Sequence, residues 1–205
     1  MGFDLENALT RSDGLKVEFG IIYGNESVVI IKAGAGGTHK GHEDKYLRLA
    51  QMLHKSEGCT VICLSNYAPD SFDLADVFVI RGLLSEIEGE IKLYYVGASN
   101  GATQGLINAT KHFDFSRMLL FNLPLMMNFH KTAEALTRIR ADIRFIYGEK
   151  DPSYFYVPLL ESASKKDTCS AKVEIVSVPN ADHSFTDMID TFLDLGNKLL
   201  SDQDQ

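Results

Sequence analysis

The chain has 205 residues and a net charge of −8 at pH 7, with 45% hydrophobic and 23% charged residues. This length suits one globular domain, so we expect residues 1–205 to form a single domain with a substantial core. The excess of negative charge would repel polyanions, which disfavours nucleic acids and anionic membranes as partners.

Short apolar runs alternate with helical patterns along the chain, which predicts an α/β fold with a mostly parallel sheet and helices on both faces. Residues 16–23 are predicted as an antiparallel edge strand, joined by a turn at 24–25 to the next strand. The later predicted strands are residues 27–32, 60–64, 91–96, 118–121, 143–147 and 173–178. The predicted helices are residues 43–55, 73–87, 104–112, 131–139, 154–166 and 185–200.

A glycine-rich segment, residues 33–38 (Ala-Gly-Ala-Gly-Gly-Thr), follows the second of these strands. A strand followed by glycines also begins dinucleotide and phosphate sites. However, the third glycine of G-x-G-x-x-G is missing, and no Gly-Lys-Ser/Thr sequence follows. The segment therefore disfavours nucleotide binding, and no cofactor is predicted.

Two histidines and two acids lie close together in residues 39–44 (His-Lys-Gly-His-Glu-Asp). Their spacing is not that of a helical H-E-x-x-H zinc pair, and Lys40 and Lys45 lie among them. The plainer interpretation is a polar loop that enters the next helix, so no metal site is predicted. His39 or His42 is still a candidate for the mouth of a pocket, because both follow the glycine-rich segment.

Ser99 lies at the centre of residues 97–101 (Gly-Ala-Ser-Asn-Gly), between a predicted strand and a predicted helix. A serine between small residues in that context fits a nucleophile elbow, a sharp turn that presents the hydroxyl at the tip of a sheet. The alternative is a solvent-facing serine that only caps the helix.

A serine hydroxyl becomes a good nucleophile only when a base takes its proton and an acid orients that base. Asp151 follows the strand at 143–147, and His183 follows the strand at 173–178. Three separate strands therefore carry a serine, an acid and a histidine at their carboxyl ends, in that chain order.

Other residues compete for these roles. Glu149 and Asp182 are rival acids, and Asp151 itself could only start a turn or cap a helix. His183 could be a surface histidine that caps the last helix. His112 and His130 both precede the acid, which is the wrong chain order for the base.

With these segments the chain resembles the α/β-hydrolases over nearly its whole length. The matching pieces are residues 97–101, residues 147–151 (Tyr-Gly-Glu-Lys-Asp) and residues 180–183 (Asn-Ala-Asp-His). The resemblance implies a serine hydrolase that cleaves a small carboxylic ester or related acyl compound. It also implies that the chain has no large cap domain, because only one short helix and a loop fit between residues 121 and 143.

The resemblance further implies an oxyanion hole made of two backbone N–H groups. One is that of Asn100, the residue after the nucleophile. The other comes from residues 33–38, where Ala35 is the first choice and Gly36 the second. The family often has a histidine before the first glycine, whereas this chain has Ala33.

Apolar residues near the predicted strand ends are candidates for the wall of an acyl pocket. They include Leu125 and Met126 in residues 123–129, and Tyr154 just past Asp151. Ordinary core packing is the alternative for all of them.

Two further functions fit the same sequence. One is an acyltransferase that uses the same triad, and the other is a non-catalytic ligand-binding protein with the hydrolase fold. The three cysteines have no framework spacing, the N-terminus lacks a signal-peptide pattern, and no apolar run reaches membrane-span length. These features predict a cytoplasmic protein.

Overall fold

The computed structural model describes residues 2–10, 14, 16–67 and 74–200. One eight-stranded sheet runs through it, in the spatial order β1-β2-β4-β3-β5-β6-β7-β8. The strands are β1 (Leu5–Thr10), β2 (Lys16–Ile22), β3 (Asn25–Lys32), β4 (Cys59–Leu64), β5 (Lys92–Ala98), β6 (Arg117–Phe121), β7 (Asp142–Gly148) and β8 (Lys172–Val178).

The strands from β3 to β8 run parallel to one another, and β1 and β2 pair antiparallel at one side. The central strands are apolar on both faces, as in β4, which is buried along its whole length. Strands of this kind need cover on both sides, since neither face of the sheet can be left to water. The predicted mostly parallel sheet is confirmed.

Within the described residues, six α-helices supply that cover. They are α1 (Lys45–Glu57), α2 (Leu74–Leu84), α3 (Asn100–Ile107), α4 (Leu125–Leu136), α5 (Val157–Ser164) and α6 (Ile189–Asn197). α1 and α6 pack on one face of the sheet, with Leu49 and Phe192 in the same apolar cluster. α2 to α5 pack on the other face, where Leu106 and Leu160 belong to a second cluster. Helices therefore cover both faces, as predicted.

The edge strand differs from the prediction. The edge is β1, which the sequence did not predict, and β2 lies inside the sheet between β1 and β4. β2 is antiparallel as expected, but it pairs with β4 rather than with its sequence neighbour β3. β1 was missed because most of its side chains are exposed, so it has no apolar alternation to find.

Helix boundaries also shift. α4 begins at Leu125, six positions before the predicted start, because Leu125, Thr132 and Leu136 form a buried face that extends through the apolar segment. α6 begins at Ile189, later than predicted, after a loop in which Phe185 and Asp187 have positive φ angles. The predicted start of the second helix at Asp73 lies outside the described residues.

Between β6 and β7 the chain has room only for α4 and short loops, so it carries no cap domain there. The connection between β6 and β7 therefore places no domain over the carboxyl ends of the parallel strands. In the part of the chain that the structure describes, every helix is too short or too polar to cross a bilayer.

Candidate active site

The turn between β5 and α3 holds Ser99 in a strained conformation. Its φ of 52° and ψ of −121° lie in a region that residues with a side chain rarely adopt. The Ser99 N–H donates to the Phe121 carbonyl on the neighbouring strand at 2.8 Å, and the Ser99 carbonyl accepts the N–H groups of Ala102 and Thr103 in α3. These bonds hold the turn, so the serine side chain is presented at the carboxyl edge of the sheet as predicted.

The glycines around Ser99 allow very close backbone approaches. A Cβ on Gly101 would lie 2.4 Å from the carbonyl oxygens of both Lys32 and Ala33, and a Cβ on Gly97 would lie 2.6 Å from the Ala102 Cα. The first contact presses the elbow against the start of the glycine-rich loop. That loop and the serine turn therefore meet only because residue 101 has no side chain.

We expect Gly101→Ala to damage the site as well as the fold. The added methyl group would collide with two backbone oxygens that cannot move without shifting β3. Melting temperature and hydrolysis of a short activated ester by the same preparation measure both effects. A fully stable and fully active Gly101→Ala variant would show that this contact does not shape the site. Gly82→Ala is the matched control, since a Cβ at Gly82 meets nothing within 4 Å.

The structure brings Ser99, His183 and Asp151 together from three separate strand ends. The His183 Nε2 atom lies 2.8 Å from the Ser99 Oγ atom. On the other side of the ring, the Nδ1 atom makes a short hydrogen bond to Asp151 Oδ2. The imidazole thus links hydroxyl and carboxylate in one line.

Asp151 is only 1% exposed, whereas the His183 side chain is 45% exposed. The second oxygen of Asp151 accepts the Ser153 N–H at 2.6 Å, at the start of a 3₁₀ turn formed by Pro152–Tyr156. A buried carboxylate needs such partners, because burial without them disfavours the charged form. Both oxygens of Asp151 are therefore held in place, and one of them faces the imidazole.

The rival acids have other surroundings. Asp182 accepts the N–H groups of Ser184 and Thr186 at 3.1 and 2.8 Å, so its carboxylate ties up the loop that follows His183. Burial alone would raise the pKa of Asp182, but these hydrogen bonds outweigh it and the pKa lies below its ordinary value. Glu149 is exposed to solvent. Only Asp151 contacts the His183 ring among the three acids.

A buried lysine anchors the histidine loop from the far side. Lys45, at the start of α1, donates to the Ser184 carbonyl at 2.9 Å and lies over the Phe192 ring. Burial lowers the pKa of Lys45, and the charge of Asp182 opposes that shift. The residue after His183 is therefore tied to the start of α1.

The glycine-rich loop turns tightly beside Ser99. The Gly37 N–H donates to the Gly34 carbonyl at 2.9 Å, and Gly36 has a φ of 72°. This is the pattern of a type II turn with Ala35 at its second position. A Cβ on Gly34 would lie 3.3 Å from the Ser99 Cβ, so the turn passes directly by the serine.

Among the N–H groups of Gly34, Ala35 and Gly36, only that of Ala35 has no partner in the described residues. The Gly36 N–H donates to the Asn66 carbonyl at 2.7 Å, which removes the second choice made from the sequence. The Gly34 N–H is directed at the hydroxyl of Tyr46, whose pKa is raised by burial. Ala35 is an exposed residue, and its N–H donates to no group in the described parts of the chain.

Asn66, just past β4, holds this loop in shape and was missed from the sequence. Its side-chain N–H₂ donates to the Ala33 carbonyl at 2.9 Å and to the Asn100 side chain at 3.0 Å. Its side-chain oxygen accepts from Gln104 on α3 at 3.2 Å. The only sequence signal was a polar residue directly after a buried strand, which many loops share.

Asn100 is the first residue of α3, and its side chain is used by Asn66. Its backbone N–H belongs to the first turn of the helix, where N–H groups lack intrahelical acceptors. Among the described residues this N–H has no acceptor. The N–H groups of Asn100 and Ala35 are thus both left without partners beside Ser99.

The remaining predicted site residues differ in their surroundings. Leu125 is fully buried in the apolar cluster, where core packing accounts for it, and Tyr154 packs against the same cluster. Met126, in contrast, is 62% exposed in the first turn of α4. Their roles as pocket walls stay predictions.

Within the described residues, which include the histidine-rich segment, no group of three or more potential metal ligands occurs. The His39 ring is directed at Glu6 of β1, 3.0 Å away, and His42 is exposed. His130 lies within α4 rather than in a loop, and His112 follows the short 3₁₀ turn after α3. None of these histidines is hydrogen-bonded to Ser99 or Asp151.

A separate cleft of about 290 Å³ lies at the amino ends of β6, β7 and β8. Its wall includes Arg144 and Glu174, which form an ion pair at 2.6 Å, and Arg117 and Asp142, which lie 3.9 Å apart. This is the end of the sheet opposite to Ser99, so the cleft is not part of the candidate active site.

In chemical terms, the site holds a hydroxyl against an imidazole that is backed by a buried carboxylate. Such a geometry allows the imidazole to take the hydroxyl proton as the oxygen attacks an electrophile. The two unpartnered N–H groups lie at a helix start and a tight turn, positions from which they can donate to a developing oxyanion.

No family model matches the sequence. No curated protein is similar to it by sequence comparison. Solved structures are similar over almost its full length. Est1E from Butyrivibrio proteoclasticus has a TM-score of 0.73 at 12% identity, with 97% of each chain covered. Dienelactone hydrolase from Anabaena variabilis has a TM-score of 0.65 at 16% identity, covering 95% of this chain and 96% of that one.

A serine hydrolase homologue from Coxiella burnetii is also similar, with a TM-score of 0.66 at 16% identity, covering 98% of this chain and 99% of that one. At these identities the similarity shows the fold and not the activity. The chain has the α/β-hydrolase fold, as the resemblance of its sequence motifs implied.

Proposed function

We propose that the protein is a serine hydrolase that cleaves a small carboxylic ester through a covalent acyl-enzyme. The observation that carries this proposal is the 2.8 Å contact between Ser99 Oγ and His183 Nε2, made by a serine in a strained turn. Strain of this kind persists only where the surrounding structure enforces it, and it concentrates at functional sites.

In this proposal Ser99 attacks the ester carbonyl while His183 takes the hydroxyl proton and passes it to the leaving alcohol. Asp151 keeps Nδ1 protonated, so that Nε2 is free to act as the base, and it stabilises the positive charge on the ring. Water then attacks the acyl-enzyme by the same route and releases the acid. The 1% exposure of Asp151 supports this role, since a carboxylate shielded from water interacts more strongly with the imidazole ring.

The Asn100 and Ala35 N–H groups are proposed to stabilise the oxyanion that forms in each step. The support is that both lack acceptors in the described structure, whereas the neighbouring Gly36 N–H is occupied. A donor already bonded to a carbonyl would have to break that bond first. Preorganised donors need no such rearrangement at the moment of reaction.

The choice of Ala35 can be tested by removing its N–H group with a residue that the turn accepts. Ala35 takes the second position of a type II turn, which accepts proline, and proline has no N–H. We expect Ala35→Pro to lower kcat on the order of a hundredfold or more, as the loss of one oxyanion donor does in other serine hydrolases. Steady-state kinetics on a short activated ester measure this change.

Ala35→Ser is the matched control, because it alters the exposed side chain and keeps the N–H. Unchanged kcat in a folded Ala35→Pro variant would show that the second donor lies elsewhere. A similar loss in both variants would point to the shape of the loop rather than to the N–H group.

The substrate class is proposed from the fold and the open edge of the sheet. Neighbours with the same fold include the esterase domain of a Rhodothermus marinus protein and a ferulic acid esterase, and Est1E has been solved with ferulic acid bound. The absence of a cap between β6 and β7 leaves the carboxyl edge accessible from that side. We therefore propose a small ester, and a panel of alkyl esters, feruloyl esters and lactones would rank the candidates.

Covalent labelling tests the proposed class of enzyme. We expect a fluorophosphonate probe to label the wild-type protein, while Ser99→Ala and His183→Ala are not labelled. Persistent labelling of Ser99→Ala would refute Ser99 as the nucleophile. The absence of both labelling and ester turnover in the wild type would refute the hydrolase proposal itself.

We also propose that the protein works in the cytoplasm. All three cysteines are free thiols, and Cys59 and Cys63 are buried in the sheet. Burial raises the pKa of the Cys59 thiol to about 12, so it stays protonated and unreactive. Free cysteines are typical of a reducing compartment.

A further inference from the structure

Asn122 lies between the two loops that carry the acid and the base. It directly follows β6, the strand that separates β5, which carries Ser99, from β7, which leads to Asp151. The residue is 1% exposed and has a φ of 47°. This left-handed conformation is uncommon outside glycine, although asparagine adopts it more readily than most residues.

The Asn122 side chain makes three hydrogen bonds to the backbone of these two loops. Its Oδ1 atom accepts the Gly148 N–H at 2.9 Å, at the end of β7. Its Nδ2 atom donates to the carbonyl of His183 itself at 2.9 Å and to that of Asp182 at 3.1 Å. Both amide hydrogens and the amide oxygen are therefore used.

The two loops also bond directly to each other. The Glu149 N–H donates to the Val178 carbonyl at 3.1 Å, and the Lys150 N–H donates to the Ala181 carbonyl at 2.9 Å. These bonds join the loops upstream of His183 but do not reach its own peptide. Among the hydrogen bonds of the described residues, the Asn122 side chain alone contacts the His183 carbonyl.

Only an amide side chain of this length satisfies the arrangement. Two carbonyl oxygens need a donor, and one N–H needs an acceptor, within the reach of a single short side chain. An ionised aspartate accepts only, and a serine hydroxyl has a single hydrogen to donate. An unpaired buried carbonyl is costly, so a poorer side chain would let the histidine loop shift toward water.

We propose that Asn122 is a positioning residue that sets where the His183 ring stands relative to Ser99 and Asp151. This inference rests on the proposed hydrolase function. The backbone of His183 is held by the Asn122 amide, and the ring then spans from Ser99 Oγ to the Asp151 carboxylate. A shift of the His183 peptide would lengthen both ring contacts together.

Asn122→Asp is the sharpest test, because the two side chains have the same shape. The carboxylate keeps an acceptor for Gly148 but puts an oxygen against the carbonyls of Asp182 and His183. We expect kcat to fall by about a hundredfold, the usual effect of misplacing a catalytic group by about 1 Å. KM should stay within about threefold, since Asn122 is placed to act on the base and not on the substrate.

A double-mutant comparison separates positioning from general stability. In a His183→Ala background there is no ring to position, so Asn122→Asp should cost no more than about threefold in the remaining kcat. Equal losses in the two backgrounds would overturn the proposal. Asn25→Asp is the matched control, because the Asn25 side chain also joins two backbone segments, at the amino end of the sheet, through Glu57 and Ser27.

A second measurement does not depend on turnover. The proton between His183 Nδ1 and Asp151 should give a low-field NMR signal in the wild type, and this signal should be lost or move upfield in Asn122→Asp. An unchanged signal, or wild-type kcat in the folded variant, would overturn the proposal. Should Asn122→Asp not fold, Asn122→Gly suits the left-handed backbone, removes the amide and is judged by the same two readouts.

Different results would refute the positioning role of Asn122 and the proposed hydrolase function. A wild-type protein that neither labels nor hydrolyses esters refutes the hydrolase, whereas the NMR comparison still tests the role of Asn122. An active wild type with an equally active Asn122→Asp variant refutes the positioning role and leaves the hydrolase intact.

Discussion

Replacing Ser99 with alanine is expected to lower kcat for a short activated ester on the order of 10⁶-fold, as loss of the nucleophile does in a well-studied serine protease. The substitution removes only the hydroxyl group. The strained turn at residue 99 is held by backbone hydrogen bonds, which alanine keeps. The folded variant should still bind the ester, so the assay must measure the product released and not the ester bound.

Ser85→Ala is the matched control for this change. Among the described residues, the Ser85 hydroxyl bonds only to the Gly82 carbonyl near the end of α2, and its removal should leave kcat unchanged. Retention of more than a small fraction of wild-type activity by Ser99→Ala, after contaminating esterases are removed, would mean that another group attacks the substrate.

Replacing Asp151 with asparagine is expected to cost on the order of 10⁴-fold in kcat, the size of effect seen when the acid of a serine-protease triad becomes an amide. The amide N–H of the new asparagine can donate to His183 Nδ1, which favours the tautomer that carries its proton on Nε2. A protonated Nε2 cannot take the proton of Ser99. It also stabilises the charged ring less well than a carboxylate. Asp151 is buried, so solvent cannot replace the lost charge.

Glu149→Gln makes the same chemical change at the exposed rival acid and should lose no more than a few-fold. If instead Asp151→Asn stays active while Glu149→Gln is inactive, the acid has been assigned wrongly. Measuring both variants on one ester and one protein batch makes the comparison direct.

Much of the fold could be predicted because the parallel strands are buried on both faces and stand out as short apolar runs. The same property located the strand ends, and hence the loops in which Ser99, Asp151 and His183 lie. The structure then places these three side chains in one hydrogen-bonded line. Chain order and strand ends are local features, so a single sequence is enough to show them.

Other features could not be predicted because they depend on contacts distant in sequence. β1 is exposed and exists only through its pairing with β2. Asn66, about thirty positions away, accepts the Gly36 N–H through its carbonyl, and this distant contact is what distinguishes Gly36 from Ala35 as a donor. The left-handed backbone and triple hydrogen bonding of Asn122 likewise appear only when β6, β7 and the histidine loop are packed together.

The two asparagines also show how the fold supports an open site. Asn66 ties the glycine-rich loop to α3, and Asn122 ties the acid and histidine loops to β6. Both amides act just past the end of a parallel strand. The Asn122 amide bonds to three backbone groups, and the Asn66 amide bonds to one backbone carbonyl and two side chains. Loops held in this way can keep catalytic geometry without a cap domain to press on them, since their hydrogen bonds are buried or partly buried.

Peptide mapping by mass spectrometry tests the central claim most directly. The wild-type protein would be treated with a fluorophosphonate, digested and sequenced to locate the added mass. Our account predicts a single modified residue, Ser99, and loss of that modification when His183 is replaced by alanine. An adduct on any other residue, or an equally fast reaction of Ser99 without His183, would contradict it.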